Sequence, residues 1–368
     1  MKIISKQENL IKGLNKVSHL TGKNYNLPIL NNILFKIEKG NIELSATNLE
    51  MGVKTNIRGK IEEDGCITVP ARIITDYINL IDNDKNITLE IKENDLLISS
   101  SSWQTKIKTN PAEDYPLIPD VQEKNNIKIK LSDFKDVVSS VLFAASFDET
   151  RPELSGILFW FKDSKLTLAA TDSYRLAEKT INIDKSLKED EKIIIPLKTM
   201  QELVRIIGDE NDGDIILNFE ENQVKFSFKE TNIVSRLTEG EYPDYKQIIP
   251  NTFNIETEVN KQEIIKAIKA ASLFTKVGIF DITLNFSNQG LVIKAVNAQL
   301  GENVIKLNLD NYKGSEVAVV FNYKYLLDGF NNISSSKVKI LINSASNPVV
   351  FKPISDIDYL YLVMPIRQ

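Results

Sequence analysis

The fold is decided by three seven-residue stretches that match position for position: IELSATN (Ile42 to Asn48), LTLAATD (Leu166 to Asp172) and LVIKAVN (Leu291 to Asn297). Each stretch alternates apolar and polar residues and ends in a polar residue, which predicts a half-buried strand followed by a turn. The stretches recur about every 125 residues, close to the length of one domain. The chain therefore reads as three copies of one domain.

An amphipathic helix is predicted ahead of each strand, because apolar residues recur at i, i+3 or i+4 and i+7 and so form one buried stripe. Ser5 with Glu8 resembles a capping box, and so does Asn260 with Glu263. Ser132 is the predicted N-cap of the second copy. The predicted stripe residues are Leu10, Ile11, Leu14 and Val17, then Phe134, Val137, Val138, Val141 and Leu142, and finally Ile264, Ile265 and Ile268.

A second helix is predicted later in each copy, in VPARIITDYINLI, IPLKTMQELVRII and FNYKYLLDGF. We expect Pro70 and Pro196 in the first turns of two of these helices, where a missing N–H is no loss, and Asn322 at the start of the third. The Pro-containing stretches AEDYPLIP (Ala112 to Pro119) and EGEYPDYKQIIP (Glu239 to Pro250) are predicted linkers. The predicted domains are residues 1–124, 125–251 and 252–368.

Strands outnumber helices in each copy and do not alternate strictly with them, which favours an α+β fold with antiparallel sheets over a doubly wound one. Three such domains joined head to tail by short linkers would form an arc. If the arc closes through a heterologous end-to-end contact, a ring results. Two helices can cover one face of each domain and leave the sheet edges and loops elsewhere.

The composition excludes several kinds of chemistry. His19 is the one histidine and Cys66 the one cysteine, so two-histidine metal sites and intrachain disulfides are excluded. The sequence contains neither G-x-G-x-x-G nor a Walker-type phosphate loop, and no spacing singles out two carboxylates. We expect no catalytic residues, metal or cofactor. A lone cysteine, no signal peptide and no long apolar run predict a cytoplasmic protein without a membrane partner.

The charge balance taken alone argues against a nucleic-acid partner. The net charge is −5 and the pI is 5.3, whereas proteins that hold DNA by affinity are usually basic. The predicted helix faces are nevertheless basic, which suggests a basic lining inside an acidic rim. Closure would then hold duplex DNA, independently of sequence, while weak phosphate contacts permit sliding. The basic helix residues are Lys12, Lys16, Arg72, Lys135, Lys198, Arg205, Lys266, Lys269 and Lys324.

Several local strings, spread in order over the whole chain, resemble the beta subunit of bacterial DNA polymerase III, the sliding clamp family. The resemblance implies a non-catalytic processivity factor that closes as a head-to-tail homodimer around duplex DNA, with the sheets on the outside and two helices per domain lining the hole. It also implies that the polymerase III catalytic subunit, the clamp loader and repair polymerases bind through short linear peptides. The strings are LPIL (Leu27 to Leu30), VPAR (Val69 to Arg72), TDSYRLA (Thr171 to Ala177), EYPDY (Glu241 to Tyr245) and VMPIR (Val363 to Arg367).

The resemblance further implies a peptide pocket between the second and third domains, with an apolar floor and a polar margin. Tyr174 replaces a common His, Gln247 a common Arg and Gln368 an apolar terminus, so the rim is expected to differ from that of relatives. For Arg175 a structural ion pair is the open alternative, and for the tail a simple closing strand. The implied pocket residues are Leu154, Thr171, Tyr174, Arg175, Leu176, Pro243, Gln247, Ile248, Tyr325, Leu362, Val363, Met364, Pro365, Ile366 and Arg367.

On the DNA side, the resemblance places Lys23 and Asn24 in a loop where relatives often present Arg. Arg72, Arg151 and Lys198 match basic positions of the family. The expected dimer seam joins a strand at Thr105 and Ile107 to a helix end at Leu273 and Phe274.

Two other functions stay open on the sequence alone. A carboxylate-based hydrolase would need two acids converging in a cleft about 5 to 9.5 Å apart. A peptide-binding scaffold without DNA would be a monomer or an open arc, which a measured mass distinguishes from a ring.

Overall fold

A computed structural model describes residues 1–22, 26–81, 86–185, 187, 189–276 and 278–367. These residues form six α-helices, and every pairing among their strands is antiparallel, which confirms the predicted α+β class. The helices are α1 Gln7–Val17, α2 Ala71–Leu80, α3 Leu131–Leu142, α4 Leu197–Ile207, α5 Lys261–Ser272 and α6 Tyr323–Asn332. Short 3-10 helices lie at Ser18–Leu20, Pro28–Asn31 and Tyr245–Ile248.

The strands follow in chain order. The first thirteen are β1 Lys2–Lys6, β2 Asn32–Glu38, β3 Asn41–Thr47, β4 Met51–Ile57, β5 Lys60–Glu63, β6 Gly65–Pro70, β7 Asn86–Lys92, β8 Asp95–Ser99, β9 Gln104–Lys108, β10 Ile127–Lys130, β11 Gly156–Lys162, β12 Lys165–Thr171 and β13 Arg175–Asn182. The others are β14 Glu191–Pro196, β15 Asp214–Phe219, β16 Gln223–Phe228, β17 Thr231–Arg236, β18 Ile255–Asn260, β19 Asp281–Ser287, β20 Gly290–Asn297, β21 Gly301–Leu307, β22 Asp310–Lys313, β23 Val317–Asn322, β24 Lys337–Ile342, β25 Val349–Pro353 and β26 Tyr359–Val363.

The chain divides into two compact units. Unit 1 comprises Met1–Phe134 with Glu202–Leu237, and unit 2 comprises Lys135–Gln201 with Thr238–Gln368. Unit 1 contains a five-stranded sheet, β5-β1-β7-β8-β9, and an eight-stranded sheet, β10-β15-β16-β17-β4-β3-β2-β6. Unit 2 contains a nine-stranded sheet, β14-β11-β12-β13-β26-β25-β24-β18-β22, and a four-stranded sheet, β21-β20-β19-β23.

The largest sheet of each unit joins strands from two sequence repeats. In unit 1, β17 pairs with β4, and Ser235 lies opposite Met51. In unit 2, β13 pairs with β26, and Arg175 lies opposite Val363. Because backbone ladders cross from one repeat to the next, consecutive repeats are built into the same sheets.

The predicted helix stripes are confirmed, apart from their edges. In α1, Leu10, Leu14 and Val17 are fully buried against strands such as β3 and β4, while Ile11 is partly exposed. Gly13 on the same helix lies so close to Ile57 that a Cβ atom there would clash with it. The stripes of α3 and α5 are buried in the same way, although Leu142 is partly exposed.

Of the three predicted helix N-caps, one is confirmed and two are wrong. The Asn260 side chain accepts hydrogen bonds from the N–H groups of Gln262 and Glu263, so this N-cap is confirmed. The prediction for Ser5 is wrong, since Ser5 lies in β1 and its hydroxyl donates to the Arg58 carbonyl. The prediction for Ser132 is also wrong, since α3 already begins one residue earlier.

Pro70 and Pro196 were expected in the first turns of α2 and α4, but each lies directly before its helix. Pro70 ends β6 and is the N-cap of α2, and Pro196 ends β14 directly before α4. Asn322 is confirmed at the start of α6, where its side chain accepts from the N–H of Lys324. In all three copies a strand therefore runs straight into the second helix.

Replacing Asn260 by Ala should lower the free energy of unfolding by about 1 kcal/mol, because two N–H groups lose their acceptor. Ser132→Ala is the matched control and should have little effect, because its hydroxyl bonds only the neighbouring Asp133 side chain. Urea denaturation of both variants checks this. Equal losses would contradict the assignment of the caps.

Candidate functional site

An apolar cluster lies on one face of the nine-stranded sheet of unit 2. Leu176 on β13 lies opposite Leu362 on β26, and both are fully buried. Met364 packs against the cluster and is only partly buried. The remaining cluster members are Leu158, Ala169, Tyr245, Leu341, Val350 and Leu360. The structure thus brings together three of the predicted floor residues from distant parts of the chain.

The other predicted floor residues differ in exposure. Leu154, Val363 and Pro365 are buried, and Ile366 is partly buried. Pro243 and Ile248 are exposed on the segment that contains the 3-10 helix Tyr245–Ile248.

The turn from Thr171 to Arg175 has a closed set of internal hydrogen bonds. The Thr171 hydroxyl donates to the carbonyl of Arg175 at 2.6 Å and accepts from the N–H of Ser173 at 3.1 Å. The Asp172 carboxylate accepts from the N–H groups of Tyr174 and Arg175. Thr171 is buried, so its hydroxyl maintains the turn and does not reach the margin where it was expected.

Arg175 is an internal residue of unit 2. Its guanidinium is 8% exposed and pairs with Asp172 at 2.9 Å and Asp328 at 2.5 Å. It also lies 4.7 Å from the ring centroid of Tyr325. Burial lowers the pKa of Arg175, but its anionic neighbours outweigh burial and the pKa lies above its ordinary value. The structure shows the ion pairs that were the open alternative for this residue.

Tyr174 and Tyr325 form an aromatic pair above this arginine, with Tyr174 exposed and Tyr325 partly buried. Their rings stack at 6.4 Å between centroids with 19° between the planes, and Tyr174 is 61% exposed. The C-terminal tail is held beside them, since the N–H of Met364 donates to the Tyr174 carbonyl and that of Ile366 to the Val320 carbonyl. The tail is therefore bonded to both sides of the site.

Two residues that anchor the rim were missed by sequence reasoning. The Tyr245 hydroxyl donates to Glu178 on β13 at 2.5 Å, and Lys246 pairs with the same carboxylate. Burial and the nearby Glu178 raise the pKa of Tyr245 far above its ordinary value. Their neighbour Gln247 is exposed and donates to Asp244. The EYPDY string contained Tyr245, but only the fold reveals its carboxylate partner.

The predicted DNA-facing residues fall into three groups. Lys12, Lys266 and Lys269 are exposed on α1 and α5. A second group is exposed but paired: Arg72 with Asp76, Lys198 with Glu149, and Arg151 with Glu153 and the hydroxyl of Ser173. Lys23 and Asn24 lie outside the described residues, as does Gln368 of the predicted rim.

The third group, Lys16 and Arg205, is partly exposed and forms bonds within unit 1. The Lys16 ammonium donates to the Thr231 hydroxyl at 3.0 Å, and burial lowers its pKa. Arg205 donates to the carbonyl oxygens of Asn15 and Lys16 and pairs with Glu202. These carbonyls lie at the C-terminal end of α1, where a cation is favoured by the helix dipole.

The expected seam residues also differ from one another. Ile107 is 5% exposed, so its side chain belongs to the core of unit 1 and cannot supply the apolar contact expected of it. Thr105 lies on the same strand, β9, at the edge of its sheet. Leu273 is 71% exposed in unit 2, and Phe274 is partly buried.

Sequence reasoning missed further exposed apolar residues, one beside β9 in unit 1 and three on and between β20 and β21 in unit 2. In unit 1, Trp103 adjoins β9 and packs edge-on against Tyr77 of α2. In unit 2, Val296, Leu300 and Val304 are exposed on and between β20 and β21. Alternating burial in short strands does not distinguish a core face from a contact face, so the pattern alone gave no signal.

Among the described residues, no group of three or more His, Cys, Asp or Glu side chains is placed to hold a metal ion. Within the same residues, no helix combines the length and apolar character needed to cross a membrane.

Three tandem domains of strands with two helices each define the clamp class of folds. Models of the DNA polymerase III beta subunit match this chain three times, with the N-terminal domain at residues 1–119, the central domain at 128–244 and the C-terminal domain at 246–367. The chain belongs to the DNA polymerase III beta subunit family. It is accordingly a DNA sliding clamp, a processivity factor that catalyses no reaction, which removes the hydrolase alternative.

The relatives agree over full length. The chain is 29% identical to the beta sliding clamp of Synechococcus elongatus, covering 100% of this chain and 99% of the relative, and 27% identical to that of Haemophilus influenzae, covering 100% of both. A solved sliding clamp of Pseudomonas aeruginosa superposes with a TM-score of 0.96 at 26% identity, again over 100% of both chains.

Arg175→Met should lower the free energy of unfolding by about 3 kcal/mol, because it leaves the Asp172 carboxylate in a largely buried site without its cation. Arg72→Met removes an exposed ion pair and is the control that should hardly change stability. Urea denaturation compares them. A negligible loss for Arg175→Met would show that the ion pair is not structural.

Proposed function

We propose that two copies of this chain close head to tail into a ring around duplex DNA. The observation that carries this proposal is the pair of edge strands β9 in unit 1 and β21 in unit 2, each beside exposed apolar side chains. Unpaired strand edges invite pairing with another chain unless they are blocked. Pairing of unlike edges gives a heterologous contact, which closes after two copies when the geometry allows.

The charges along the two edges are compatible with this contact. β9 carries Lys106 and Lys108, which share Asp95. β21 carries Glu302, which is 63% exposed and pairs with Lys294 at 3.6 Å. Lasting interfaces combine apolar contact with such complementary charge. The seam consists of Thr105 with Trp103 on one copy and Leu273 with Phe274 on the other.

Leu273→Asp should convert the dimer into a monomer, because a carboxylate would replace an exposed apolar contact. Light scattering should give the chain mass of 41.6 kDa for the variant and twice that mass for the parent. Ile357→Asp is the matched control, since Ile357 is 85% exposed elsewhere in unit 2 and should leave the dimer intact. A monomeric parent chain would favour the open scaffold over the ring.

The DNA-facing set is proposed to be Lys12, Arg72, Arg151, Lys198, Lys266 and Lys269, together with Lys23 and Asn24. Lys16 and Arg205 belong to the proposed set as partly exposed members. Exposure supports these assignments for the described members. Weak contacts to phosphates give no sequence preference and are screened by salt, so that a closed ring slides without leaving the duplex.

Charge reversal at Arg72 and Lys198 should weaken binding to a short duplex most at low salt. If two phosphate contacts are lost, the slope of log K against log salt should become shallower by about 1.8. Fluorescence anisotropy measures the slope. Reversal of Lys60 and Lys337, which lie on strands β5 and β24, is the control and should leave it unchanged. Equal slopes for both variants would argue against the phosphate role.

The site on unit 2 is proposed to bind short linear peptides of the polymerase III catalytic subunit, the clamp loader and repair polymerases. Leu176 and Leu362, which lie opposite each other on β13 and β26, are proposed as its floor together with Leu154, and the partly buried Met364 suits an adaptable wall. Val363 lies opposite Arg175 and faces the other side of the sheet. The rim comprises the exposed Tyr174, Pro243, Gln247, Ile248 and Arg367 and the partly buried Tyr325 and Ile366. Thr171, Arg175 and Pro365 support the rim from beneath.

Deleting residues 364–368 should abolish peptide binding and leave the dimer intact. The deletion removes the wall formed by Met364 but spares strand β26, which ends at Val363. Isothermal titration with a partner peptide and light scattering are the two measurements. Loss of both properties would show that the tail is needed for folding.

The domain boundaries are proposed at 1–124, 125–251 and 252–368. They are supported by the three family matches, which leave only short gaps around residues 119–128 and 244–246. A cytoplasmic location is proposed as well, because bacterial chromosomes are replicated there.

A further inference from the structure

Unit 1 repeats, bond for bond, the turn on which the peptide site of unit 2 is built. In the turn Thr47–Met51, the Thr47 hydroxyl donates to the Met51 carbonyl at 2.9 Å and accepts from the N–H of Leu49 at 3.1 Å. The corresponding bonds of the turn Thr171–Arg175 measure 2.6 and 3.1 Å. The same backbone frame therefore exists twice in the chain.

Both turns contain one residue in the left-handed region. Leu49 has φ +76° and Ser173 has φ +77°. This region costs energy for side chains other than glycine, and such strain is concentrated at functional turns. Leu49 is also 47% exposed, so a large apolar side chain is held outward at a strained position.

The strand that ends beside each turn is attached to it in the same way. In unit 1 the N–H of Arg236 donates to the Glu50 carbonyl at 2.9 Å. In unit 2 the N–H of Met364 donates to the Tyr174 carbonyl at 2.8 Å. Arg236 thus takes the place of the methionine wall, and it is exposed.

One buried tyrosine links the turn to the segments on which two further exposed leucines lie. The Tyr115 hydroxyl donates to the Asn32 carbonyl at 3.2 Å and accepts from the N–H of Thr47 at 3.3 Å, and burial raises its pKa to about 12. Leu117 follows two residues after the tyrosine and is 95% exposed. Leu27 precedes the strand of Asn32 and is 45% exposed.

The loop that carries Leu117 is fixed and so presents its leucine in one place. Ile118 packs on Gly52, where an added Cβ would lie 2.6 Å from the isoleucine side chain. The Lys54 ammonium donates to the Ile118 carbonyl at 3.1 Å. A leucine that is almost wholly exposed on a fixed loop is ready-made contact area that needs no further ordering.

We propose that Leu27, Leu49 and Leu117 form a second docking surface, which binds a short peptide with two aliphatic side chains and one carboxylate. The leucines provide the apolar contact, and Arg236 provides the charge complement for the carboxylate. Glu50 stands where unit 2 has Tyr174, so a peptide with many acidic residues is disfavoured. The comparison of the two frames rests on the proposed peptide site of unit 2.

The test is photo-crosslinking of the whole chain with the synthetic peptide acetyl-Gly-Leu-Asp-Leu-Ser-Gly, one leucine of which is replaced by its diazirine analogue. Mass spectrometry should find two groups of labelled segments, one at 26–31, 47–51 and 115–118 and the other at 171–176, 243–248 and 362–367. Leu117→Asp should reduce labelling of the first group about tenfold or more and leave the second unchanged. Ile357→Asp should change neither.

The outcomes are distinguishable. Labelling of the second group alone overturns the second surface and leaves the proposed function standing. Labelling of the first group alone supports the second surface and overturns the peptide site of unit 2. Labelling of neither group overturns both. A change in the mass of the assembly on Leu117→Asp would assign the leucines to contact between copies of the chain and would also overturn the inference.

Discussion

The structure depends above all on antiparallel strand pairing across the boundaries of the repeats. β4 pairs with β17 and β13 with β26, so the ladders that stabilise each unit also connect successive repeats. Register leaves little freedom here, because a slip of one residue would turn buried side chains to the opposite face. The pairing of Arg175 with Val363 thereby fixes where the C-terminal tail meets the turn Thr171–Arg175.

The same pairing explains why the candidate site lies at this place. A turn at one strand end and a tail at the neighbouring strand end bring residues from distant parts of the chain side by side. Buried polar bonds then stiffen the frame, with Arg175 held by Asp172 and Asp328 beneath the stacked tyrosines. Apolar side chains over a stiff polar frame are already ordered in the folded chain. Binding to them therefore costs less conformational entropy.

The repeat pattern was enough to predict the α+β class, the helix stripes and the strands, because period and burial are local properties. The bonding partners of the charged side chains could not be predicted in this way. Lys16 and Arg205 fit an exposed basic face by spacing, yet they bond to Thr231 and to the end of α1, which lie far away in sequence. Ser5 resembled a cap but lies in a strand, and Ile107 resembled a contact residue but is buried, since only tertiary packing decides such cases.

An acidic chain can act on DNA if a closed ring, rather than affinity for the phosphates, retains it on the duplex. The most direct test is to place the protein on nicked circular DNA with its clamp loader, isolate the complex at high salt, and then cut the circle once. The protein should stay on the closed circle and be released when the DNA becomes linear, because only topology retains it. Equal loss from circular and linear DNA, or equal retention on both, would contradict the ring.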